Sequence, residues 1–65
     1  MDVQFAKEWL DRIRGMTHDD EMAHCEEDAL RDAVLIAIAE GTSDAQELAA
    51  IALETGEIKF ARWCA

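Results

Sequence analysis

In a chain that contains no proline, apolar residues recur at helical spacing in three stretches, and each stretch runs into one of the three glycines, Gly15, Gly41 and Gly56. In the first, Phe5, Trp9 and Ile13 fall four apart with Ala6 and Leu10 beside them, while Lys7, Glu8, Asp11, Arg12 and Arg14 take the other face. Side chains three or four apart share one side of a helix, so this stripe predicts a helix over residues 3–14. Asp2 is its expected N-cap, the two arginines suit the negative end of the helix dipole, and Gly15 is expected to end it in a left-handed conformation. Leu30, Ala33, Val34, Ala37 and Ile38 form a second stripe, widened by Leu35 and Ile36 and closed by Gly41. Ala45, Leu48, Ala49, Ala52 and Leu53 form a third, and Ser43 and Gln46 ahead of it stand at capping-box spacing.

Two segments are less regular. Thr17-His18-Asp19-Asp20 offers a cap and first-turn carboxylates, and Cys25-Glu26-Glu27-Asp28 repeats that pattern a few residues later. The repetition predicts a short turn of helix from about His18, a bend near His24, and a long helix to residue 40. After Gly56, Ile58, Phe60 and Trp63 mix strand and helix spacing, which predicts a tail docking Phe60 and Trp63 onto the helices.

The expected fold is therefore all-α, a small three- or four-helix protein in one domain over residues 1–65. Twelve alanines against two Trp and two Phe mean that close helix contact has to fill the interior. Below about 70–80 residues a single core rarely supplies more than ~3–5 kcal/mol, and two cysteines make no disulfide framework. A homodimer is therefore expected, with Leu35, Ile36, Leu48, Ala49 and Ala52 as its interface. The longest charge-free apolar run, residues 33–39, has seven residues where a membrane span needs roughly 20, so no membrane association is expected. Met1-Asp2-Val3-Gln4 lacks the basic-then-apolar pattern of a secretory signal, so the expected location is cytoplasmic, with Cys25 and Cys64 as thiols.

Charge narrows the function. Fifteen acidic against six basic residues give a net charge of −9, which repels nucleic-acid phosphate and argues against direct nucleic-acid binding. The acids concentrate in residues 17–32, where Asp19, Asp20, Glu21, Glu26, Glu27, Asp28 and Asp32 face only Arg31. Such a run is either a solvated face or a surface complementary to a basic partner, for which Asp19, Asp20, Glu26, Glu27 and Asp28 are the candidate contacts. Trp9 and Trp63 are core residues or, where exposed, anchors for that partner.

His18, Asp19, Asp20, Glu21, His24, Glu27 and Asp28 place two imidazoles and five carboxylates within eleven residues, chemically adequate for a transition metal, but His18 and His24 fall on different faces of a helix. No metal or cofactor is expected. The same acids resemble half of a helical pyrophosphohydrolase magnesium site, whose second motif on a separate helix is missing. Cys25 beside three acids lacks the electropositive setting of a nucleophilic thiol, so no catalytic residue is expected.

The block His24-x-x-Glu27-Asp28-x-Leu30-Arg31, the helix end Ile38-Ala39-Glu40-Gly41, and the closing Glu57-Ile58-x-Phe60-x-Arg62-Trp63-Cys64-Ala65 resemble a group of short, uncharacterised bacterial and prophage proteins over residues 17–65. The resemblance implies a bacterial or phage setting and carries no activity with it. With the acidity and small size, it leads to the expectation of a non-enzymatic phage or mobile-element accessory protein. Such a protein would inhibit or redirect a host protein with a basic surface, the specific expectation being a nucleic-acid-handling defence factor of the kind met by anti-CRISPR or anti-restriction proteins. The alternatives are a self-assembling structural protein and a metal-dependent hydrolase using His18, Glu27 and Asp28.

Overall fold

Asp2 turns its carboxylate onto the backbone N–H of Phe5 (2.7 Å) and so starts the first helix, α1, Val3–Arg14. The computed structural model describes residues 1–62, and Trp63 and Cys64, with the docking expected of Trp63, lie outside the described residues. Ala6, Leu10 and Ile13 are the buried side of α1, and Arg12 and Arg14 occupy its last turn. Gly15 closes the helix in a right-handed conformation (φ −80°) rather than the left-handed one expected, because its N–H still bonds back to the Arg12 and Asp11 carbonyls. The chain then turns through residues 15–18.

The second helix, α2, spans Asp20–Ala39 without interruption. It begins two residues after the expected start, with Asp19 as N-cap accepting from the Met22 N–H (3.1 Å), and the bend expected near His24 is absent. The reason is burial: Ala23, Glu27, Leu30, Val34 and Ala37 follow one another at spacings of three and four along the inner face. That continuous face holds the helix straight through Cys25-Glu26-Glu27-Asp28, whose acids only imitate a helix start. Gly41 ends α2 at φ 88°, with the Gly41 N–H on the Ile38 carbonyl (3.0 Å) and the Thr42 N–H on the Ala37 carbonyl (3.2 Å). This pair of bonds is a Schellman motif, and its left-handed position suits glycine.

The third helix, α3, spans Ala45–Glu54 and is capped differently from the expectation. Ser43 lies in the preceding turn, Asp44 holds the cap position without a side-chain bond, and the Thr42 hydroxyl accepts the Asp44 N–H instead (3.2 Å). A 3₁₀ turn, Thr55–Glu57, follows directly and leads into the extended tail.

All three helices touch one another around a core of Ala6, Leu10, Ile13, Leu30, Val34, Ala37, Leu48, Ile51 and Ile58. The fold is a small all-α arrangement of three helices with no strand among the described residues. Two of the nine core residues are alanines, so branched aliphatic side chains fill most of the interior, rather than the close alanine contacts expected from the composition. Val3, Trp9, Ile38, Ala52 and Phe60 pack against the edge of this core. Phe5, in contrast, is half exposed (48%) although it belongs to the α1 stripe. Among the described residues, no helix is long and apolar enough to cross a membrane.

Leu48, placed at a dimer interface by its position in the third stripe, is fully enclosed by its own chain. Its side chain is therefore core, unavailable to a second copy. Leu48→Ala should cost about 2–5 kcal/mol in urea-induced unfolding, the range for a buried leucine truncated in a close-packed core. A cost below ~1 kcal/mol would contradict this placement.

Candidate functional site

Among the described residues Glu27 is the one buried carboxylate, at 5% exposure, and the residue that neutralises it comes from thirty-five positions away. The tail carries Arg62 back across α2, where its Nε and Nη2 donate to the two Glu27 carboxylate oxygens, both at 3.0 Å. Nη2 also lies within bonding distance of the Thr55 carbonyl (2.8 Å) and the Ile58 carbonyl (3.0 Å), and Nη1 donates to the Phe60 carbonyl at 3.3 Å. The guanidinium stacks over the Phe60 ring, 3.9 Å from its centroid.

Buried Thr55 extends the cluster. Its hydroxyl donates to the Ala52 carbonyl (2.7 Å), which holds the end of α3, and accepts from Arg31 Nε (2.9 Å) on α2. One turn of α2 thus presents Glu27 and Arg31 to the end of α3 and the tail. A second tie holds the tail to the start of α2, where the Ala61 N–H donates to Asp20 Oδ1 (3.1 Å).

Burial alone would raise the Glu27 carboxyl. Hydrogen bonds from Arg62, with the positive charges of Arg62 and Arg31, outweigh it and hold the group below its ordinary value, while the Glu27 bonds raise Arg62. Because the folded-state value is depressed, the stability this pair contributes is present above the ordinary glutamate range and is lost as pH falls through the folded-state value.

The acids expected to form one partner surface do different things. Glu27 points inward. Half-buried Glu26 accepts the indole N–H of Trp9 (3.1 Å), tying α2 to α1, and half-buried Asp20 holds the tail. Asp19 is exposed but serves as the α2 cap. Asp28 is exposed, with His24 Nε2 3.7 Å from its Oδ1. The outward stripe of α2 is instead Glu21, Asp28 and Asp32, all exposed and spaced seven and four apart, so they share a face. Trp9 is half-buried, its ring 5.8 Å from the Phe5 ring and 5.8 Å from the Arg12 guanidinium carbon.

The residues assigned to a dimer interface also separate. Leu48 is internal, whereas Leu35 and Ile36 are exposed at 64% and 59%. Ala49 and Ala52 line an open groove of about 270 Å³ between α2 and α3, together with Arg31, Val34, Leu35, Ile38 and Leu53. Leu53 is 70% exposed on its rim.

Potential metal-binding atoms of His24, Glu27 and Asp28 lie within 4.8 Å of one another. A cation there would have to take Glu27 from Arg62. Exposed His18, in the turn before α2, is not part of this group. Cys25 is a free, exposed thiol on the acid-bearing side of α2.

The sequence reading missed Arg62, Thr55 and the role of Arg31. The available signal was weak: Glu27 stands in an acid-rich block and Arg62 in the closing block, with opposite charges. No protein-family profile matches this chain, and no curated protein or solved structure matches it.

Arg62→Met would leave Glu27 buried with an incomplete donor set, at an expected cost of about 1–3 kcal/mol, moderated because the Arg62 side chain is one-third open to water. In denaturant unfolding the gap between wild type and variant should be full near neutral pH and should shrink as pH falls through the folded-state Glu27 value. A gap that is the same at both ends of that range would contradict the ion pair.

Proposed function

We propose that this protein is a binding module without chemistry of its own, an accessory protein of the kind carried by phages and mobile elements. It attaches to a basic surface on a host protein and inhibits or redirects it. Nucleic-acid-handling factors, defence systems among them, are the host proteins whose surfaces offer the required charge. The observation that carries this reading is the outward stripe Glu21, Asp28 and Asp32 on α2, which is exposed and forms no ion pair with Lys or Arg among the described residues. The acids beside it are occupied in holding the fold, so the stripe is what remains to meet a partner. Long-range charge of one sign speeds encounter with the opposite sign and orients it. The prophage resemblance supports the setting. In this reading the protein works as a cytoplasmic homodimer, with copies meeting through the exposed apolar residues of α2 and α3 and leaving the acid-rich end of α2 to the host protein.

Neutralising the stripe with Glu21→Gln, Asp28→Asn and Asp32→Asn tests the reading directly. The triple variant should keep its unfolding free energy to within ~0.5 kcal/mol, as exposed positions do. A host protein captured from bacterial lysate by the wild type should be lost by the variant and released by salt, since screening acts over roughly 8–10 Å. A specifically captured protein that is indifferent to both the neutralisation and salt would refute the acidic interface.

A further inference from the structure

Glu27 and Asp28 follow His24 on α2 by three and four positions, so the three side chains share one turn and one side of the helix. An imidazole nitrogen and two carboxylate oxygens from them lie within 4.8 Å of one another. His24 Nε2 and Asp28 Oδ1 are 3.7 Å apart, too far for a hydrogen bond. That gap is close to the spacing of two ligands on one small ion, since donors ~2.1 Å from a tetrahedral zinc sit about 3.4 Å from each other. Water reaches the pair, because the His24 and Asp28 side chains are 33% and 66% exposed.

We propose that His24, Glu27 and Asp28 form a site for one divalent transition-metal ion of the zinc type, and that this ion competes with Arg62 for Glu27. The donor set decides the class of ion. An imidazole with two carboxylates suits zinc and its transition-metal neighbours, and one turn of helix leaves the remaining positions of the ion to water. Magnesium and calcium take oxygen ligands in larger number, a demand that three donors with a nitrogen among them do not meet. The separation of the two histidines does not weigh against this set, which uses His24 and leaves out His18.

Competition follows from the geometry at Glu27. Arg62 Nε and Nη2 hold both of its carboxylate oxygens at 3.0 Å, so an ion that draws one oxygen toward His24 and Asp28 opens at least one arm of the fork. One cation then replaces another, and the buried carboxylate stays compensated. Arg62 keeps the Thr55, Ile58 and Phe60 carbonyls as acceptors, and the Ala61 N–H keeps Asp20, so the tail loosens without leaving the helices. Arg31, whose charge also acts on Glu27, stays in place through Thr55. By linkage the tail weakens binding of the ion by the same factor by which the ion weakens the hold on the tail. The ion therefore regulates how firmly residues 58–62 are held, a role that goes beyond host binding and does not depend on it.

The test is calorimetric titration of zinc into the Cys25→Ser, Cys64→Ser protein, which has no thiol to take the ion. One ion should bind per chain. His24→Ala should weaken binding at least ~10-fold, while His18→Ala leaves it unchanged. Arg62→Met should bind zinc ~10-fold more tightly than its parent, because the competing charge-assisted bonds are gone. In the parent, saturating zinc should speed the exchange of the Arg62 Nε proton, a readout that needs no substitution at Arg62. Absence of zinc binding would overturn the site. Equal binding by His24→Ala, or displacement of zinc by millimolar magnesium, would reduce it to acids attracting a counter-ion and overturn it as well. Zinc affinity that does not rise in Arg62→Met, or an Arg62 Nε proton indifferent to zinc, would overturn the competition for Glu27.

Discussion

A buried carboxylate has to be compensated, and in this protein the compensation of Glu27 determines where the last part of the described chain lies. Isolated burial of a charge costs several kcal/mol even after relaxation, so the buried Glu27 carboxylate stays ionised only while a cation and its hydrogen bonds are in place. Arg62 supplies both, and a guanidinium is suited to the task because its planar fork matches two carboxylate oxygens and leaves donors for backbone carbonyls. Thr55 joins the end of α3 to the same turn of α2 through Arg31. The attraction within the aliphatic core is non-directional. The polar cluster is directional, because a shift of one residue would leave Glu27 without its partner. Helix packing therefore supplies the attraction, while the cluster selects one register of tail and α3 against α2.

Much of the architecture is legible in the residues because its signals are local. Asp2 as the α1 cap, the Ala6, Leu10 and Ile13 stripe, and the break at Gly41 each depend on neighbours within a turn or two, and each stands where the spacing places it. Local signals mislead where two of them compete. Cys25-Glu26-Glu27-Asp28 has the composition of a helix start, yet the burial of Ala23 before it and Leu30 after it carries one helix straight through. Ser43 and Gln46 stand at capping-box spacing, yet Thr42 closes a turn onto the Asp44 N–H and the helix begins at Ala45 without a side-chain capping bond.

The candidate site was harder to read because its contacts span the chain. Nothing near Glu27 announces that Arg62 will meet it, and an acid inside an acid run has the same appearance whether it faces water or core. The run divides by direction only once the helix axis is placed: Glu27 inward, Glu26 toward Trp9, Asp20 toward the tail, and Glu21, Asp28 and Asp32 outward. The same ambiguity governs the leucines. Leu35 and Leu48 both lie in apolar stripes, but Leu48 is enclosed and Leu35 stands in solvent. In the proposed reading α2 has three roles along its length and around its circumference: an acidic outer face for a partner, a buried ion pair that fixes the fold, and an apolar C-terminal half that joins two copies.

The most direct measurement of the central claim, that the Glu27–Arg62 pair closes the fold, is the solvent exchange of the Arg62 Nε proton by nuclear magnetic resonance, with Arg14 as internal reference. Arg62 Nε donates to a carboxylate buried in the core, whereas Arg14 Nε makes no hydrogen bond among the described residues and its side chain is half exposed. The account predicts an Arg62 Nε proton that exchanges at least ~10-fold more slowly than that of Arg14, since exchange requires opening a charge-assisted bond of about 1.5–3 kcal/mol. Equal exchange rates for the two arginines would contradict it, because the tail would then be open and Glu27 would need another explanation for its place in the core.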